Sequence, residues 1–281
     1  MSVQNFIPAL WSARLIEFLR KNLVYVNLCN RNWEGEIKAY GDTVKIGQIG
    51  IPTVKDYTKN QDIDDAEDVD GTQQLLVIDQ QKYFNVSIDD VDNAQTNPKL
   101  LNQFGSNASY ALADVADKHV AKAYLQASST NLIGTDASPV ALTPALAYEV
   151  LVDAGVKMDE ANVPKQGRYV VVPPWFVGLI LKDPRFIGTG SQTADQVLYN
   201  GQVGHAAGFV VCMSNNVPNV SGQKYKIMAG IEDTMTFADQ VIEMEAYRPQ
   251  KRFADAIKGL HVYGHKVTRP DTMVVITANR S

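Results

Sequence analysis

Two strand-like segments that flank a strongly acidic segment constrain the fold more than any other feature. Residues 42–46 (Asp-Thr-Val-Lys-Ile) and 84–89 (Phe-Asn-Val-Ser-Ile-Asp) alternate apolar and polar side chains, which is typical of strands with one buried face. Between them, residues 62–70 contain six acids in nine positions. Because such a charge block is not buried without pairing, this segment must be exposed. We therefore predict a long hairpin that reaches outward and holds a neighbouring subunit.

Charge is unevenly distributed along the chain. The 281 residues carry a net charge of −5, which argues against a dedicated basic face for nucleic acid. Residues 56–92 hold eleven acids against two lysines, whereas residues 248–269 hold six bases against one acid. The asymmetry predicts complementary patches, but two separately solvated faces fit it equally well.

The remaining patterns predict an α+β fold. Residues 6–21 form an amphipathic pattern, and Asn97-Pro98 begins a long helix to about residue 126 that would act as a structural spine. Thr143-Pro144 begins a second helix, which ends near Ala161. Further elements are a buried strand (168–173), a helix (175–181) and strands near 209–213, 241–244 and 273–276.

Catalytic and metal-binding motifs fail on inspection. The glycine-rich residues 201–208 lack the Lys-Ser/Thr ending of a phosphate loop, so a turn before a strand is predicted there. His261 and His265 lie in a predicted strand, where four positions span roughly 13 Å, too far for one metal ion. Cys29 and Cys212 are expected to be small core residues. We predict no enzyme activity, cofactor, metal or membrane span.

The order of these elements resembles the major capsid proteins of tailed bacteriophages, which have the Hong Kong 97-type fold. Four stretches carry the likeness, namely residues 28–46, 83–92, 201–218 and 248–270. The resemblance implies five regions: an N-terminal arm and helix (1–32), an extended loop (33–92), a peripheral domain with the spine helix (93–135), an axial domain (136–228) and return strands of the peripheral domain (229–281).

The resemblance also implies a function and partners. A major capsid protein self-assembles as hexamers and pentamers into an icosahedral shell around double-stranded DNA, in the cytoplasm of the host bacterium, and ends in the virion. The implied partners are further copies of the chain, non-specifically bound DNA, a portal and a decoration protein. A separate scaffolding protein, or none, is expected because the helix at Phe6 leaves no room for a long cleaved scaffolding region.

Two alternatives stay open. One is an encapsulin-like shell, which shares the fold but encloses a cargo protein. The other is an enzyme whose glycine-rich segment, residues 188–208, binds a small ligand.

In the resembling family, the extended loop lies over the peripheral domain of a neighbouring subunit. This implies inter-subunit contacts between acids and bases, for which the candidates are Asp62, Asp64, Asp65, Glu67, Asp68 and Asp70 with Lys251, Arg252, Lys258 and Lys266. Candidates to face DNA are Arg14, Arg20, Lys21 and Arg31. Alternatively, the acids only keep the loop soluble.

Overall fold

The computed structural model describes residues 24–32, 43–49, 71–89, 99–183, 202–251 and 254–280, with isolated positions at Val54, Asp56, Lys59 and Asp62. The predicted helix over residues 6–21 lies outside this part of the chain. The described α-helices are α1 (Lys99–Val120), α2 (Pro144–Glu160) and α3 (Pro174–Ile180). None of these helices is long and apolar enough to cross a membrane.

The described strands form three sheets. Their bounds are β1 (Thr43–Ile49), β2 (Gly71–Val77), β3 (Gln80–Asp89), β4 (Leu132–Ile133), β5 (Val140–Leu142), β6 (Tyr169–Val172), β7 (Gln202–Ala206), β8 (Phe209–Met213), β9 (Asn219–Val220), β10 (Lys224–Gly230), β11 (Met235–Tyr247), β12 (Ala254–Val267) and β13 (Val274–Arg280). The largest sheet has the order β4-β13-β10-β6-β8-β7, with β5 beside β13 and β9 beside β10. The others are β11-β12-β3 and β1-β2. The predicted α+β class is confirmed.

The two capped helices lie where the sequence predicts them. Helix α1 continues as a 3₁₀-helix (Ala121–Gln126), so the spine runs to the predicted residue with a tighter last turn. Its predicted cap at Asn97 lies outside the described residues. Helix α2 begins after Thr143, whose hydroxyl accepts a hydrogen bond from the Leu146 amide at 3.4 Å.

The pairing of the hairpin arms differs from the prediction. Strand β1 pairs antiparallel with β2, from Thr43 opposite Val77 to Ile49 opposite Gly71. The segment predicted as the return arm, residues 84–89, lies in β3 and pairs with β12 instead. Alternation shows that one face of a strand is buried, but it does not encode which strand lies beside it. The hairpin therefore exists, but β2 closes it and β3 belongs to the neighbouring sheet.

The last strand does not pair within the β11-β12-β3 sheet. Strand β13 pairs with β10, from Tyr225 opposite Ala278 to Ala229 opposite Val274, and so lies in the largest sheet. The sequence placed the whole of residues 229–281 with the peripheral return strands. The continuous apolar run at the start of β13 is buried on both faces, as a central strand requires. The domain boundaries stay predictions.

The described part of the glycine-rich segment is a β-hairpin. Strands β7 and β8 are joined by Ala207 and Gly208, with φ angles of 50° and 82°. Two successive positive φ angles are the signature of a type I′ turn, which matches the twist of paired strands. The predicted turn is confirmed, but a strand precedes it as well as follows it. Cys29 and Cys212 are buried and unbridged, as predicted.

The base of the β1–β2 hairpin is fixed to the three-stranded sheet. Val44, Leu76 and Ile78 pack against Ala238 and Val262 in a small apolar cluster of their own. At Gly264 in β12, an added Cβ would overlap the carbonyl oxygen of Val77 and lie 3.0 Å from Cα of Ile78. The backbone of the hairpin base therefore rests directly on this glycine.

We predict that Gly264→Ala destabilises the fold by about 1–3 kcal/mol, because the new methyl group would collide with backbone atoms that cannot rotate away. Gly47→Ala in β1 is the matched control, since nothing lies within 4 Å of a Cβ there. Urea unfolding of both variants measures the difference. Equal midpoints for the two variants would show that the close approach at Gly264 is not tight.

A buried carboxylate joins three distant parts of the chain. Asp117 in α1 is 2% exposed, and its Oδ1 accepts hydrogen bonds from the amides of Val24 at 3.1 Å and Tyr25 at 2.7 Å. Its Oδ2 accepts a hydrogen bond from Nδ2 of Asn216 at 2.9 Å. Burial raises the pKa of Asp117, although these N–H donors oppose the shift. The spine helix is thereby tied to the N-terminal segment and to the turn after β8.

Asp117→Ala should cost about 3 kcal/mol, because it leaves buried N–H groups without an acceptor. Asp114→Ala in the same helix is the control. Asp114 lies 2.5 Å from Nζ of Lys118 in an exposed i,i+4 pair, and such pairs contribute under about 1 kcal/mol. Thermal and urea unfolding compare the two, and similar losses would contradict a joining role for Asp117.

Candidate assembly surfaces

The outer face of the β1–β2 hairpin is exposed and carries two apolar side chains. Val44 and Leu76 face inward and are buried, whereas Leu75 and Val77 on the opposite face are 49% and 45% exposed. Lys45 lies opposite Leu75 in the register, and Thr43 lies opposite Val77. The ribbon therefore has one face that packs within the chain and another that is available to a partner. We call Thr43, Lys45, Leu75 and Val77 the outer hairpin face.

The segment between β1 and β2 is exposed wherever the structure describes it. Val54 is 94% exposed, and Asp56, Lys59 and Asp62 are exposed as well. The other acidic candidates, Asp64, Asp65, Glu67, Asp68 and Asp70, lie outside the described residues. The described positions thus present the charged side chains of this segment to solvent.

The described basic candidates lie in the turn before β12 and within β12, and they do not form one patch. Lys251 is exposed in the turn between β11 and β12, and Lys258 is exposed within β12. Lys266 is half-buried and lies eight residues further along the strand, which corresponds to about 26 Å. Arg252 lies outside the described residues. Of the described bases, Lys251 and Lys258 lie toward the same end of the sheet.

Aromatic and amide groups surround Lys258 on one face of the sheet. Nζ of Lys258 lies 5.3 Å from the centre of the Tyr247 ring, a cation–π geometry. The Tyr247 hydroxyl and the Asn85 amide exchange hydrogen bonds of 2.9 and 3.1 Å. Tyr83, two residues along β3 on the same face, is 78% exposed. We call these four residues the Tyr83–Lys258 surface.

The side chain of Arg31 is mostly buried and pairs with groups of its own chain. Its Nη2 lies 2.5 Å from Oδ1 of Asp239, and its guanidinium stacks over Phe237 at 5.6 Å from the ring centre. The side chain is 22% exposed. The Asp239 carboxylate therefore offsets much of the positive charge of Arg31, which the sequence analysis named as a candidate to face DNA. Arg14, Arg20 and Lys21 lie outside the described residues.

Sequence reasoning missed both the outer hairpin face and the Tyr83–Lys258 surface. A signal for the first was present, because Leu75-Leu76-Val77-Ile78 is a run of four apolar residues. Such a run indicates a strand covered on both faces. The second surface carried no such signal, since its members come from three strands that only the register brings together.

Comparison with known proteins decides what kind of chain this is. The sequence model of a family described as phage capsid protein matches residues 71–276. The chain belongs to the phage capsid protein family. Its members are structural proteins, so the prediction that the chain is not an enzyme is confirmed. The resemblance to capsid proteins of tailed phages is likewise confirmed.

Solved structures agree with this assignment. A chain of Mycobacterium phage Che8 is 28% identical, with a TM-score of 0.71 and 90% of each chain covered. The capsid structure of cyanophage P-SCSP1u is 17% identical, with a TM-score of 0.69 over 93% of this chain and 89% of the other. The SrpI encapsulin complex of Synechococcus elongatus is 11% identical, with a TM-score of 0.54 over 86% and 84%. The search of curated proteins found no match. The likeness of the capsid protein to the encapsulin shows a shared fold alone.

Proposed function

We propose that this capsid protein self-assembles as hexamers and pentamers into an icosahedral shell that encloses packaged double-stranded DNA. The outer hairpin face carries the proposal. This ribbon is anchored at its base and exposes the neighbouring apolar side chains of Leu75 and Val77 on its far side, where a partner could bury them. Family membership supports the same conclusion from the sequence.

Within the shell, the extended segment would lie over the sheet of a neighbouring copy. The Tyr83–Lys258 surface suits the receiving side, because its aromatic rings and hydrogen-bonded amide are already in place before contact. Lys251 and Lys258 are the described bases that best fit the acidic segment. Lys266 fits less well, since it is half-buried and about 26 Å from Lys258. Each exposed ion pair contributes only about 0–1 kcal/mol, but a shell repeats the contact many times.

DNA contact would be diffuse and independent of sequence. The net charge of −5 supports enclosure by confinement over specific recognition. Arg14, Arg20 and Lys21 remain the candidates for the inner wall, and Arg31 is a weaker one because of its pair with Asp239. We further propose a separate scaffolding protein, a portal and a decoration protein as partners, with assembly in the host cytoplasm.

Replacing Leu75 and Val77 together by serine should prevent shell formation, because it removes the exposed apolar pair without altering the buried face. Gln73→Ser is the control, since Gln73 is an exposed polar residue on the same face of β2. Electron microscopy after expression with the neighbouring genes counts particles in each case. Normal particle numbers for the Leu75/Val77 variant would exclude this face from assembly.

The same images distinguish the two shell functions. DNA-filled icosahedra, identified also by absorbance at 260 nm, support the phage capsid. Shells filled with protein would instead favour an encapsulin-like compartment. A stable small oligomer with no assembly would contradict both.

Charge reversal tests the acidic segment separately. Changing Asp64, Asp65 and Asp68 to lysine should block assembly in low salt, and adding Lys251→Glu with Arg252→Glu should partly restore it. Neutral asparagine at the three acidic positions is the control, because it removes attraction without adding repulsion and should weaken assembly less. If the lysine variant assembles normally, the acids serve only to keep the segment solvated.

A further inference from the structure

Two of the four histidines meet in the fold, and a third lies further along the same strand, beyond Tyr263. His119 lies near the end of α1, and His261 and His265 lie on one face of β12. The ring centres of His119 and His265 are 4.5 Å apart with an angle of 83° between the planes. Tyr263 lies between the two strand histidines and contacts the rings of both His119 and His261.

The contact joins the spine helix to the face of β12 opposite the one on which the hairpin base packs. Oδ1 of Asp79, in the link between β2 and β3, is 3.9 Å from Nε2 of His119, which is too long for a hydrogen bond. Gly264, against which the backbone of Val77 and Ile78 packs, directly precedes His265. A movement of the His265 side chain would therefore disturb the neighbouring β12 backbone, against which the hairpin packs.

Burial, together with the cations near the two rings, favours the neutral imidazoles. Both ring nitrogens of His265 are buried without a hydrogen-bond partner, and burial, with His119 and Lys266 nearby, lowers the pKa of His265 to about 4. Burial also lowers the pKa of His119, and Lys122 and Lys82 act in the same direction. Asp79 opposes both shifts but is 57% exposed. His261 differs, because its Nε2 lies 3.1 Å from Oδ2 of Asp239.

We propose that the His119–His265 contact is a pH-sensitive link that holds β12, on whose other face the hairpin base packs, against the spine helix when both rings are neutral and releases it when one is protonated. A proton on His265 would place an imidazolium where its ring nitrogens have no hydrogen-bond partner among the described residues, with the ring centre of a second imidazole 4.5 Å away. Separation of β12 and the β2–β3 link from α1 would admit water, which can hydrate the charged ring.

The direction of the pH dependence follows from these environments. The pKa of His265 in the folded chain lies below the ordinary value of 6.5. The stabilising contribution of the neutral ring is therefore complete above pH 6.5 and is lost as the pH falls from there toward about 4. This interval of about 2.5 pH units corresponds to a loss of up to about 300-fold in the local closing equilibrium.

The consequence for assembly rests on the proposed function, whereas the link itself does not. If the hairpin base loosens, the outer hairpin face changes its orientation to a neighbouring copy. Acid would then alter contacts between subunits through a change inside each chain.

The test compares amide hydrogen exchange in purified full-length protein between pH 7.5 and 4.5, corrected for the intrinsic exchange rate. Protection of residues 74–82 and 260–267 should fall at least tenfold in the wild type and change little in His265→Phe, which keeps the packing but cannot bind a proton. His205→Phe is the control, because His205 is exposed and lies in β7, away from the contact. It should behave as the wild type.

Two further measurements keep the outcome decisive. If His265→Phe does not fold, His119→Gln takes its place, and it should also reduce the loss of protection. Histidine NMR of isotope-labelled wild type should show one imidazole that titrates well below pH 6. Parallel loss of protection in the wild type and the ring variants, or four ordinary histidine titrations, would overturn the proposal.

Discussion

Both faces of β12 are covered around Val262 and Tyr263, and the rest of the described structure depends on that constraint. On one face, Tyr263 and Val267 belong to the main core with the spine helix. On the other, Val262 packs with Leu76 and Ile78 at the hairpin base. Because β12 is also the central strand of its sheet, it has a neighbour on every side. A displacement on one face of this strand is therefore transmitted to the other.

Two glycines allow this dense packing. Gly264 leaves room for the backbone at Val77 and Ile78, and Gly259 leaves room for the ring of Phe84 across the strand pair. The two positions differ by an odd number of residues, so they open opposite faces of β12. Side chains at both positions would force the hairpin and β3 away from the sheet. A glycine within a strand, which weakens it in isolation, here permits the contacts that stabilise it.

The sequence predicted the helices and strands better than it predicted which of them lie side by side. Proline and threonine at the start of α2 set its first residue by local chemistry, and alternation marked β3 as a strand. The partner of β3 depended on burial across the sheet, which no local pattern records. Likewise, counting bases over residues 248–269 suggested one patch, but a strand extends by about 3.3 Å per residue and separates Lys258 from Lys266. His119 and His265 are too distant in sequence for any spacing rule to bring them together.

A two-stranded ribbon is only marginally stable by itself in water. The β1–β2 hairpin therefore owes its order to what covers it, and within one chain only its inner face is covered at the base. A partner on the outer hairpin face would bury Leu75 and Val77 and so strengthen the same pairing that the inner cluster of Val44 and Leu76 begins. Folding of the hairpin and contact with a neighbouring copy would thus favour each other. Weak individual contacts can then give cooperative assembly, because each one also orders the element that makes the next.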